Sequence, residues 1–381
     1  MLKKVFVICT LLFGLVYCGW GPQYSGTTAN LNDVYFPIDT LTGYICGDSG
    51  IILKTTNGGS DWIRQNTPVT TKLNAVLIIS DTGWCVGNHG TMLMTNNGGL
   101  TWEGDSNGSA NLYDVWYFNS DVGIVIGDSG FIYKTTDGGR TWFVAVLSTN
   151  PLRKIFFIDN YFGWIVGDNR TCAKTMDGGS NWESITLPIP ANSTLRGVYF
   201  IDSLTGCLID ELGRILKTSD GGQTWEVSNL LYSLYGIDFE DSDTGYICGQ
   251  AGYIIKIPSG QDTFVNLSID LYSINFPVPR VGWTVGSNGS IYKTSDGMAV
   301  AEEPNKRDVS PISSFPNPFT NHLTVRITTQ TKTSLKIYGK AGNLVAEKRI
   351  SKGLFRLNSK TLSKGVYFIK INGIITKVIK I

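Results

Sequence analysis

Histidine is nearly absent from this chain: its 381 residues include two, His89 and His322. Cysteine is sparse as well, at seven. Cys46, Cys85, Cys172, Cys207 and Cys248 lie far apart, in no spacing that metal ligands use, so a zinc site is not expected and no cofactor is assigned. Long apolar runs are missing too, apart from Val5 to about Val16, which is too short to span a membrane as a stable helix. Acids are scarce at the C-terminal end, where residues 311–381 carry ten Lys and three Arg against Glu347 alone. The chain is +1 overall and this segment is +12, which leaves −11 on the rest. No cluster of Lys and Arg interleaves with aromatics in that acidic portion, which argues against nucleic acid as a partner.

A repeat dominates what is present. LNDVYFPIDTLTGYICGDSGIILKTTNGGSDW (Leu31 to Trp62) returns as LNAVLIISDTGWCVGNHGTMLMTNNGGLTW (Leu73 to Trp102) and five times more. Its anchoring glycines are Gly43, Gly83, Gly123, Gly163, Gly206, Gly245 and Gly282, about 40 residues apart. A strand-rich, Gly-punctuated period of that size predicts a propeller. Within a copy, LNDVYFPI reads as the first strand, YICG as the second, IILKT as the third, and the residues from Trp62 as the fourth. The turn DTLTG assigns Gly43 to a positive φ. Cys46, Cys85, Cys207 and Cys248 stand in second strands where other copies have Val or Ile, and so read as small buried hydrophobes.

Blade six departs from the pattern, with IPSGQDTF (Ile257–Phe264) for its turn and Phe264 in place of Trp. Blade seven stops at Met298 without an outer strand. Trp20 precedes Leu31 by the spacing that separates Trp62 from Leu73, so residues from about 20 to 25 are expected to supply the missing strand and close the ring. The fold expected is therefore all-β, a seven-bladed propeller over 20–298 followed by a linker (299–311) and a small Ig-like β-sandwich (312–381). Residues 1–19, with Lys3, Lys4 and the apolar run, read as a signal peptide cut near Cys18 or Gly19. The bulky Tyr17 speaks against a lipidated Cys18.

The turns TTNGGSDW, TNNGGLTW, TTDGGRTW, TMDGGSNW and TSDGGQTW resemble the Asp-box of sialidases and other secreted propellers. Near-identical copies argue for a structural role, with Asn57, Asn97, Asp137, Asp177, Asp220 and Asp296 bonding their own turns. The repeats as a whole resemble the photosystem II assembly and stability factor family over Trp20 to Met298, which implies a seven-bladed propeller. Pro316-Asn317-Pro318, Ile337-Tyr338 with Gly342, Gly365-Val366-Tyr367 and the terminal Lys377 to Ile381 resemble the C-terminal sorting domain of the type IX secretion system. That resemblance implies that the secretion machinery is a partner and that the chain reaches the cell surface or the medium. It does not fit a photosynthetic task.

Function is expected where the copies differ. One ring follows the repeated Leu: Asn32, Asn74, Tyr113, Arg153, Arg196, Tyr235 and Tyr272. A second, on the same face, is Asp48, Asn88, Asp128, Asp168, Glu211, Gln250 and Ser287. Unequal polar and aromatic residues on a rigid frame suit a monomeric scaffold that binds an extracellular protein or glycan, and not an enzyme. The alternative, an Asp-box-type glycoside hydrolase, would draw a carboxylate pair from Asp48, Asp128, Asp168 and Glu211. A sialidase would also bring an arginine cluster and an Arg-Ile-Pro signature, and this chain places only Arg153 and Arg196 on the ring. No catalytic residue is assigned.

Overall fold

Short runs of branched and aromatic residues between Gly- and Asp-rich turns favour antiparallel meanders over helices. In the computed structural model each repeat becomes one four-stranded sheet, and there are seven such sheets between residues 19 and 297. Described are residues 19–297 other than 38, 106–107, 258–259 and 265–267, together with most of seven C-terminal strands. The expected signal peptide (1–18) and the linker lie outside the described residues, as does the side chain of Phe264. Blade one comprises Leu31–Tyr35, Gly43–Gly47, Ile52–Thr55 and Ile63–Arg64, ordered from the axis outward. Second strands such as Gly43–Gly47, Gly123–Gly127 and Gly163–Gly167 are buried at every residue, because a neighbouring blade covers each face. The five cysteines are buried free thiols. Burial pushes Cys172, Cys207 and Cys248 up to about 12.

The seventh sheet joins the two ends of the propeller. Its strands Leu271–Val278, Val281–Gly286 and Ile291–Thr294 are completed on the outside by Gly21–Gln23. Gly21 faces Lys293, Pro22 faces Tyr292 and Gln23 faces Ile291. Trp20 is buried against Phe276, edge to face at 5.8 Å.

The anchoring glycines have a different cause from the one expected. Gly43 is not among the residues with positive φ. A Cβ there would lie 2.3 Å from the ring of Phe36. Tyr117, Phe157, Phe200, Phe239 and Phe276 lie in the same way on Gly123, Gly163, Gly206, Gly245 and Gly282. These rings also reach the adjacent blade. Phe36 stacks on Trp283 at 3.7 Å, Tyr117 on Trp84 at 3.5 Å and Phe200 on Trp164 at 3.7 Å. At six of the seven positions glycine is thus the seat of an aromatic ring, and at Gly83 of Ile78, a packing need and not a torsional one. Positive φ does occur in the Asp-box turns, as at Gly58 (70°) and Gly59 (80°).

Each continuous Asp-box is satisfied within itself. Thr135 Oγ1 donates to Asp137 at 2.8 Å and accepts from Gly139 N at 2.9 Å. Asp137 also accepts from Thr141 N at 2.9 Å and Thr141 Oγ1 at 2.6 Å. The Thr141 hydroxyl, then its amide, hold the Asp137 carboxyl at about 2. Asp177 and Asp220 are held at about 2 by the same donors from Asn181 and Thr224.

Val300–Ile381 forms a separate compact unit. One antiparallel sheet contains Ile312–Phe315, His322–Ile327 and Gly353–Asn358. The other orders Leu344–Ile350, Thr333–Gly339, Gly365–Ile371 and Ile374–Lys380.

Candidate functional site

Every innermost strand carries one extra residue at the same point. The pairing with the second strand slips between Leu31 and Asp33, Leu73 and Ala75, Leu112 and Asp114, and Leu152 and Lys154. It slips again between Leu195 and Gly197, Leu234 and Gly236, and Leu271 and Ser273. The residue inside each slip is Asn32, Asn74, Tyr113, Arg153, Arg196, Tyr235 or Tyr272. A bulge re-aims its side chain. Here it lifts the first-ring residue out of the regular alternation to the mouth of the axial channel. All seven line a single depression of about 400 Å³, joined by Asn30, Lys72, Lys154 and Asp270.

The second ring does not line this depression; five of its residues, Asp48, Asn88, Asp128, Asp168 and Glu211, bond the first-ring residue of their own blade. Asn32 donates to Asp48 at 3.0 Å and to the Leu73 carbonyl at 2.7 Å. Asn74 repeats the arrangement with Asn88 at 2.9 Å and the Leu112 carbonyl at 2.7 Å. Tyr113 donates to Asp128 at 2.7 Å. Burial, then that bond, push its hydroxyl up, so Tyr113 keeps its proton. Arg153 grips both oxygens of Asp168, at 2.7 and 2.5 Å, and Arg196 meets Glu211 at 2.7 Å. Gln250 accepts from Ser233 N at 3.4 Å, and Ser287 from Asp270 N at 2.9 Å.

Both arginines spend Nε and one Nη on their carboxylates. Each thereby leaves its Nη1 off the carboxylate that holds it. The Arg153 guanidinium also lies 4.2 Å from the centre of the Tyr113 ring. The rings of Tyr235 and Tyr272 sit 5.9 Å apart on the side of the mouth where blades six and seven meet. Preoriented planar cations beside aromatic faces can take a carboxylate and the chain that carries it. Asp48, Asp128, Asp168 and Glu211 are each engaged as acceptors, which suits orientation better than proton transfer to a substrate.

Deeper in the channel, Lys154 Nζ meets Asp114 at 3.3 Å, with Asp33 nearby. Burial works against the Lys154 ammonium, but Asp114 and then Asp33 outweigh it and the group stays charged. No set of three His, Cys, Asp or Glu among the described residues could hold a metal ion.

A family model described as photosynthesis system II assembly factor YCF48 matches residues 16–146, 105–187 and 144–230, more than half of the chain. The chain belongs to the YCF48 family. Two solved structures of that family share its fold. "YCF48 bound to D1 peptide" has a TM-score of 0.63 at 21% identity, over 72% of this chain and 96% of that one. YCF48 from Cyanidioschyzon merolae has 0.61 at 16%, over 72% and 98%. The WD40 propeller domain of Doa1 follows at 0.59 and 13%, over 72% and 97%. Among curated proteins none matches. Residues 313–381 match the secretion system C-terminal sorting domain, which supports export of this YCF48-family propeller to the cell surface or medium.

Sequence reasoning missed four residues at the mouth of this YCF48-family propeller. Asn30, Lys72 and Asp270 each stand one position before the repeated Leu, and that position too differs from blade to blade. Lys154 stands two after it. Variation on both sides of the Leu was the available signal.

Proposed function

We propose that the chain is an exported binding scaffold, not an enzyme, whose mouth takes an extended segment of another protein carrying a carboxylate. The observation that supports this most is the pair of adjacent-blade guanidiniums, each fixed from behind by its own carboxylate. Side chains held in place lose little freedom when a ligand arrives. Tyr113, Tyr235 and Tyr272 add rigid aromatic faces of the kind that anchor peptide ligands. The YCF48 structure bound to a peptide lends weight to a protein ligand.

The test presents arrays of acidic, neutral and basic peptides, alongside glycans, to the secreted full chain. Acidic peptides are expected to bind, and Arg153→Ala/Arg196→Ala is expected to weaken them at least tenfold. Binding confined to glycans, or peptide binding indifferent to both arginines, would overturn the reading. Turnover of a glycoside lost in Glu211→Gln would restore the hydrolase alternative.

A further inference from the structure

The Asp-box of blade seven is split between the two ends of the propeller. Thr294 Oγ1 donates to Asp296 at 2.9 Å as in the continuous boxes, while Gly297 N, one position earlier than the glycine that donates in those boxes, donates to Thr294 Oγ1 at 3.2 Å. In those boxes the residue before the Trp sends its amide to the Asp or Asn. Asp61 N reaches Asn57 at 2.9 Å, Thr141 N reaches Asp137 at 2.9 Å and Thr224 N reaches Asp220 at 2.9 Å. In blade seven that donor comes from the other end of the chain, where Gly19 N reaches Asp296 Oδ2 at 3.0 Å. Trp20 then fills the tryptophan slot against Phe276, as Trp62 does against Phe36 at 6.0 Å.

Among the described residues the split box is one donor short. Asp137, Asp177 and Asp220 each take a second bond from the side chain of that same residue: Thr141 Oγ1 at 2.6 Å, Asn181 Nδ2 at 2.7 Å and Thr224 Oγ1 at 2.5 Å. Gly19 has no side chain to offer. An amino terminus at Gly19 would make up the deficit, because an ammonium carries three donors and a charge where an amide carries one N–H. Cys18 and Val16 before it are the small, uncharged residues that a signal peptidase accepts.

We infer that the chain is processed at the Cys18–Gly19 bond and that the new α-ammonium of Gly19 docks on Asp296, locking the propeller shut. The inference rests on residues 1–18 being an export signal. An endopeptidase of the export route adds water across the bond, leaving a carboxylate on Cys18 and an amino group, protonated at neutral pH, on Gly19. Processing thereby supplies the ion pair that completes the ring.

The experiment determines the N-terminal residue of the full chain exported by a bacterium with a type IX system, and compares melting temperatures. The expected first residue is Gly19. Asp137→Asn should be nearly silent, since Asn57 and Asn97 already serve continuous boxes. Asp296→Asn should lower Tm by about 2–4 °C, and that loss should shrink in 1 M salt. A chain beginning at Cys18 or Trp20 would overturn the inference and leave the export reading intact. A chain that keeps Met1 would overturn both. An Asp296→Asn variant as silent as Asp137→Asn would remove the ion pair.

Discussion

Gly163 shows how one atom can decide a blade. Its backbone is ordinary extended strand, where alanine normally gains about 0.5–1 kcal/mol over glycine. A Cβ here, however, would lie 2.4 Å from the ring of Phe157, which is itself wedged edge to face on Trp182 at 5.9 Å. Overpacking of that kind costs about 1–3 kcal/mol. Gly163→Ala is therefore expected to lower the urea midpoint, and adding Phe157→Leu should recover part of the loss. Additive effects in that double-mutant cycle would refute the contact. The repeat made the glycine visible but not its reason, since a sequence does not say which aromatic ring crosses which blade. The ring residues were legible for a related cause. Asn32 and its six counterparts differ between copies because a bulge sends them to the mouth, whereas Leu31 and its counterparts stay alike because they fill the core. Asn30 and Lys72 escaped notice because only the position after the Leu was compared.

At the scale of the element, innermost strands expose a backbone edge to the channel, and its N–H groups need acceptors. Side chains of the preceding blade provide them. Asp33 accepts from Val76 N at 3.0 Å, Asp114 from Ile155 N at 3.0 Å and Asp238 from Phe276 N at 2.7 Å. Across the closure, Asn275 accepts from Phe36 N at 3.0 Å. Asp238 is the one of these carboxyls that burial, opposed only by neutral donors, raises from 3.8 to about 7. Folding then binds a proton that the unfolded chain releases above about pH 4. Stability should fall as pH climbs from about 4 to 7 and level off above, a span worth roughly 4 kcal/mol at most. Asp238→Asn keeps an acceptor for Phe276 N and removes the titration. Its urea midpoint relative to the parent should rise across that window. An unchanged difference from pH 4 to 8 would show that Asp238 ionises normally. Nothing in the sequence marked Asp238 in this way, because five of its six copies, Tyr35, Leu77, Trp116, Phe156 and Tyr199, are apolar or aromatic, Asn275 being the polar one, and only the fold shows it in the channel wall.

At the scale of the whole molecule, closure is where the ring is weakest, because every other blade is one continuous meander. Blade seven depends on three pairings between Gly21–Gln23 and Ile291–Lys293 and on Trp20 in its slot. The spacing of Trp20 from Leu31 pointed to this strand, since a repeat fixes distances even where it is interrupted. The split hydrogen bond from Gly19 to Asp296 was invisible, because glycine carries no motif and its partner lies 277 positions away. Two lesions separate the contributions. Trp20→Ala empties a buried slot and should cost about 3–5 kcal/mol, within the range for a large aromatic removed from a core. An exported chain lacking residues 20–25 should lose more, since the edge of Ile291–Thr294 would then face solvent unpaired. Such an edge recruits strands from other molecules. Sedimentation of the shortened chain should therefore show self-association that grows with concentration, while Trp20→Ala stays monomeric and merely melts earlier. A shortened chain that stays monomeric with the parent's Tm would mean that the other six blades hold the ring without a closing strand.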